Sequence, residues 1–130
     1  MGLAIGKARW AYGGFMQFRR ALARAEGFDL SQMIGFRNDF EPRPEPGLRD
    51  WRSVDTNLRP LLYHSDCDGE MTWVECARVE PRLSEILDNW SSGHIPSGLD
   101  GYHEFYLEEG RLLAEAMREC VATRTELRFR

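Results

Sequence analysis

Apolar residues in this sequence recur at helical spacing in three stretches. In "AYGGFMQFRRALARAEG", Phe15, Phe18, Leu22 and Ala25 fall on one helical face, and Gly27 supplies a natural C-terminal stop. In "WVECARVEPRLSEILDNW", Cys76, Val79, Leu83, Ile86, Leu87 and Trp90 form one stripe. Pro81 lacks an amide hydrogen and is expected to kink or split that helix. In "GYHEFYLEEGRLLAEAMREC", Tyr102, Phe105, Tyr106, Leu112, Leu113, Ala116, Met117 and Cys120 make up the predicted inward face. Two shorter pieces read as single helical turns: "FDLSQMIGF" with Asp29 as N-cap, and "NLRPLLYH" with Asn57 as cap and Pro60 in its first turn. "LAIGKARW" is weakly strand-like, and "TELRFR" alternates apolar and charged residues as an edge strand does. The expected fold is mainly α (α+β): a single small helical domain over residues 1–130, with a minor two-stranded sheet from the chain ends.

Between these pieces lies 36–56, "FRNDFEPRPEPGLRDWRSVDT", where Pro42, Pro44 and Pro46 bar both continuous helix and central strand. It reads as a long proline-rich loop, with Phe36, Phe40 and Trp51 as the residues that pack it down. "SSGHIPSG" is a second loop. A chain of 130 residues is long enough to bury its own core, and 42% apolar with 29% charged residues is ordinary for a globular domain. No stretch approaches the ~20 apolar residues that cross a bilayer, and "MGLAIGKARW" lacks the apolar run of a signal peptide. The expectation is a cytoplasmic protein with no membrane partner. Three cysteines, Cys67, Cys76 and Cys120, fit reduced thiols better than a disulfide framework.

Charge changes the picture further. Residues 1–63 carry 10 basic and 7 acidic side chains, residues 64–110 carry 2 and 11, and residues 111–130 carry 5 and 3. The segments thus hold +3, −9 and +2, which sum to the net −4. An acidic middle attracts cations or a basic protein partner and repels nucleic acid.

That middle opens on "HSDCDGEMTWVE", residues 64–75. With Gly69 at the sixth position, the stretch follows the twelve-residue calcium loop of an EF-hand. Asp66 and Asp68 take positions three and five. Glu70 offers its carbonyl at seven, Thr72 stands at nine, and Glu75 is the closing carboxylate at twelve. Met71 takes the apolar position that packs inward. His64 breaks the pattern at position one, because imidazole nitrogen suits zinc or copper better than calcium. The candidate metal ligands are Asp66, Asp68, Glu70, Thr72, Glu75 and His64, and calcium is the candidate ion. The same residues have a reading without metal. "TWVE" is a capping box in which Thr72 and Glu75 satisfy each other's amides, and the aspartates favour the positive start of the next helix.

The run "LLYHSDCDGEMTWVECARVEPRL" resembles small uncharacterised bacterial proteins in which "HSDCDGE" follows a short apolar stretch and leads into a helix holding "EC" and "PRL". "YGGFMQFRRALARAEG" and "ELRFR" are similar to that group as well, while the longer 36–56 segment departs from it. The resemblance implies no particular activity. His64, Cys67 and Cys76, with His94, His103 or Cys120, lack the paired spacing of zinc sites. Cys67 near His64 has no accompanying oxyanion pattern. The chain therefore reads as a non-enzymatic binding domain whose EF-hand-like acidic loop takes a divalent cation weakly. The alternative is an immunity- or antitoxin-like inhibitor of a basic protein, and a weaker one is a metal-dependent hydrolase.

Overall fold

A computed structural model describes residues 2–10, 13–33, 49–64, 69–94 and 102–130. The chain begins with a tight hairpin. Strand β1 (Leu3–Ile5) pairs antiparallel with β2 (Ala8–Trp10), Leu3 opposite Trp10 and Ile5 opposite Ala8. Only Gly6 and Lys7 make the turn. Gly6 has φ +58°, the sign that a II′ turn places at its first central residue. A Cβ there would also lie 2.7 Å from the Ala116 Cβ, so packing excludes a side chain as well.

Helix α1 (Gly14–Ala25) buries Phe15, Phe18 and Leu22 as its spacing predicts, and Gly27 at φ +90° follows its last turn. Asp29 then caps a 3-10 turn over Leu30–Gln32, its carboxylate accepting from the Ser31 amide at 3.0 Å. A second such turn, Trp51–Ser53, is capped by Asp50 and anchored by buried Trp51. Phe36, Phe40, Pro42, Pro44 and Pro46 lie outside the described residues, as do residues 95–98 of the second predicted loop.

Helix α2 (Arg59–Leu62) is a single turn with Pro60 at its start. Its cap position falls on buried Leu58 and not on Asn57, because the Thr56 hydroxyl accepts from the Leu58 amide (3.0 Å) and sets the entry one residue later. Strand β3 (Gly69–Met71) follows, then α3 (Trp73–Ser91), α4 (His103–Thr123) and β4 (Leu127–Phe129).

Two expectations for the helices need correction. Helix α3 runs through Pro81 without a break. Pro81 and Ala77 are both exposed, so the carbonyl four residues back that loses its donor can bond to water. Val79 and Leu83 meanwhile hold the turns on either side to the core. On α4, Tyr102 (68% exposed) and Phe105 (42%) face solvent. The buried stripe begins one turn later, at Gly110, Leu113, Ala114, Ala116, Met117 and Cys120.

The predicted two-stranded sheet has four strands, in the order β2-β1-β4-β3, all antiparallel. The chain ends do meet, Ile5 opposite Phe129. The hairpin partner β2 and the non-local strand β3 complete the sheet, with Gly69, Glu70 and Met71 opposite Phe129, Arg128 and Leu127. Leu3, Ile5, Ala8, Trp10, Met71, Leu127 and Phe129 form the sheet's buried face and join the core of α1, α3 and α4. Helices α3 and α4 pack antiparallel and are cross-tied by Arg118–Glu80 (2.8 Å) and Arg111–Asp88 (3.1 Å). Gly110 permits the approach, since a Cβ there would lie 2.8 Å from Leu87 and 3.0 Å from Phe18. Among the described residues no helix is long and apolar enough to cross a membrane.

Candidate functional site

The stretch 64–75 joins α2 to α3, and His64, Gly69, Glu70, Met71, Thr72 and Glu75 in it each have a structural partner. Thr72 is the N-cap of α3. Its hydroxyl accepts from the Glu75 amide (3.1 Å), and Glu75 Oε1 accepts from the Thr72 amide (2.9 Å). The capping box expected from "TWVE" is therefore formed, and one Glu75 oxygen is committed to it. Gly69 has φ +105°, a backbone state that side chains make costly. A Cβ there would also lie 3.2 Å from His64 Cε1 and 3.4 Å from its Nε2. Met71 is buried, as its apolar position predicts.

His64 closes the segment. Its ring stacks on Phe129 of β4 at 3.8 Å between centroids, and its Nε2 lies 3.2 Å from the Glu70 carbonyl. A carbonyl only accepts, so Nε2 carries the hydrogen. Residues 64 and 70 are thus fastened to each other across the loop. Strand β3 is an edge of the sheet, and an edge is where unpaired backbone invites aggregation. The other edge, β2, is treated alike: the Arg9 amide donates to the Glu109 carboxylate at 3.0 Å.

Beneath the loop's entry lies Arg19, a residue that sequence reasoning passed over. It is fully buried. Its Nη1 donates to the Leu62 carbonyl (3.3 Å) and to the His64 carbonyl, and its guanidinium lies 4.7 Å above the centre of the Phe15 ring. Burial lowers its pKa to about 10, so it stays charged at neutral pH. A signal for it exists in the sequence. Position 19 follows Phe15 by four and precedes Leu22 by three, so a charged residue interrupts the apolar stripe of α1.

Of the candidate ligands, the structure brings His64 and Glu70 together and pairs Thr72 with Glu75. Asp66 and Asp68, with Cys67, lie outside the described residues. Calcium takes six to eight oxygens. The Glu70 carbonyl, the Thr72 hydroxyl and Glu75 Oε1 each already have a protein partner, so this half of the loop fits calcium poorly. Among the described residues no three His, Cys, Asp or Glu side chains gather where they could hold a metal ion. Cys76 and Cys120 are buried thiols of the core. Burial, with smaller contributions from Cys120 and Glu75, pushes the Cys76 pKa up to about 12, which keeps it protonated and unsuited to nucleophilic chemistry. Compared with known proteins, the chain matches no family model, no curated protein and no solved structure.

Proposed function

We propose that this chain is a non-enzymatic binding protein that receives a basic surface of a protein partner, in the manner of an immunity or antitoxin-like inhibitor. The recognition groups are the carboxylates of Asp66 and Asp68, carried between His64 and Gly69. The observation that supports this reading is how the other polar groups of the motif are used. His64 bonds with Glu70 and Thr72 with Glu75, which frames the segment, and Asp66 and Asp68 are the remaining acidic residues of the motif.

The rest of the acidic middle is partly neutralised from within. Glu80 pairs with Arg118, Glu85 with Arg82, and Asp88 with Arg111. Among the described residues Glu70, Glu104 and Glu108 form no ion pair and add to the negative field around the segment. Such a field raises association rates and is screened by salt. Affinity capture from host extract, with the intact chain and a D66N/D68N variant side by side, tests the reading. One basic protein retained at about 0.05 M salt, released at about 0.5 M and missed by the variant is the expected result. Equal retention by both chains, or none by either, overturns it.

A second reading keeps a divalent cation, and three observations favour it. Gly69 takes the sharp-turn conformation, Met71 is buried behind it, and Glu75 lies in the first turn of α3, as in a calcium loop. Calcium would then draw Glu75 out of its capping box, so this reading implies weak affinity.

A further inference from the structure

We propose that Cys76 and Cys120 are a disulfide-forming pair, which a peroxide oxidises to a bridge that staples the start of α3 to the end of α4. Both thiols are free and buried. Their placement follows from how the two helices meet. Leu87 lies against Gly110, where a Cβ would come within 2.8 Å of its side chain. From that contact, eleven residues back along α3 reach Cys76, and ten forward along α4 reach Cys120. In antiparallel helices the two steps run the same way, about 16 Å and about 15 Å at ~1.5 Å per residue. The Glu80–Arg118 ion pair (2.8 Å) lies between and keeps the same register. Both cysteines continue the buried stripes of their helices, so they meet the seam at one level. Burial is the main cause of the raised Cys76 pKa and Cys120 is the next, which puts the two sulfurs within electrostatic reach of each other.

The two thiols are not equivalent. Cys120 keeps 9% of its surface exposed and Cys76 none, so the oxidant meets Cys120 first. Hydrogen peroxide takes two electrons from that sulfur: the O–O bond breaks, Cys120 becomes a sulfenic acid, and one water leaves. The Cys76 sulfur then attacks the Cys120 sulfur. An S–S bond forms, the S–O bond breaks, and the hydroxyl departs with the Cys76 proton as a second water. A protonated Cys76 makes this closing step slow, and placement on one rung of the seam is what drives it. The bridge requires Cα atoms within about 7 Å, and Gly110 is the residue that lets the helices approach. Cys76 directly follows Glu75 of the capping box, and the Cys120 carbonyl accepts from the Thr125 amide (3.0 Å) where α4 ends. Oxidation would thus fix the points at which β3 enters α3 and β4 follows α4. This chemistry is independent of whatever partner the loop receives.

Cys67→Ser leaves these two thiols as the only ones in the chain. The folded variant is treated with a small excess of hydrogen peroxide, melted, and mapped by peptide mass spectrometry without reduction. The expected product is a Cys76–Cys120 bridge within one chain. It closes a loop of about 44 residues, so Tm should rise by about 5 °C or more and return on reduction. No bridge, oxidation that stops at a sulfur acid, a bridge between two chains, or a smaller rise overturns the proposal. Adding Cys120→Ser should abolish the bridge and the rise together, and a rise that persists also overturns it. Should Cys67→Ser fail to fold, mapping of the oxidised native chain decides: a Cys76–Cys120 peptide upholds the pairing, and a bridge to Cys67 or none overturns it.

Discussion

Gly69→Ala probes the frame at its tightest point. Two costs add. The backbone at φ +105° is one that non-glycine residues adopt with a penalty of about 1–3 kcal/mol. The new Cβ would also press on His64 at 3.2 Å and 3.4 Å. The ring has little room to yield, because Phe129 stacks on its face at 3.8 Å. Displacing it forfeits the bond to the Glu70 carbonyl, worth about 0.5–1.5 kcal/mol. The total is about 1.5–4.5 kcal/mol. Urea unfolding with an unchanged slope is the assay. A double-mutant cycle with His64→Ala separates the two parts: without the ring, Gly69→Ala should keep the backbone cost and lose about 1 kcal/mol of the rest. A cost below about 0.5 kcal/mol, or equal costs in both backgrounds, refutes the reasoning.

Thr72→Ala removes the N-cap of α3 and should cost about 1 kcal/mol in the same assay, with Thr72→Ser close to neutral. Cys76 sets an alkaline limit. Folding holds its thiol protonated, so its contribution is whole below the ordinary value of 9.0 and is lost as pH rises through about 12. The urea midpoint of the native chain should therefore fall over that window more steeply than that of Cys76→Ala. A thiol reagent near neutral pH should modify Cys76 only at the rate of unfolding, and rapid labelling of the folded chain would contradict its burial.

The helical cores of this fold are legible in the sequence because period and stop signals agree. Phe15, Phe18 and Leu22 with Gly27, or Cys76 to Trp90 behind the Thr72 box, state their structure locally. The sheet is less legible. Gly6-Lys7 is an uncommon hairpin pair, and Ala8 is too small to mark a buried strand position. Strand β3 spans three residues, and what makes it a strand is Leu127–Phe129, far along the chain. Tyr102 and Phe105 continue the helical period of α4 but overrun the end of its packed face. Within the loop, Gly69, Met71, Thr72 and Glu75 take the positions their residue types suggest. What a linear reading could not supply is the partner of each polar atom. His64 looks like a defective metal ligand until Phe129 and the Glu70 carbonyl are found beside it.

The central claim is that the described residues of this frame close on the protein's own donors. Thermal melts of the same preparation in millimolar calcium and in excess chelator test it most directly. Closure by His64, Arg19 and the capping box predicts coincident melts. An ion at 100 times its dissociation constant adds about 2.7 kcal/mol. A rise in Tm of about 8 °C on adding calcium, abolished by Asp68→Asn, would contradict the account.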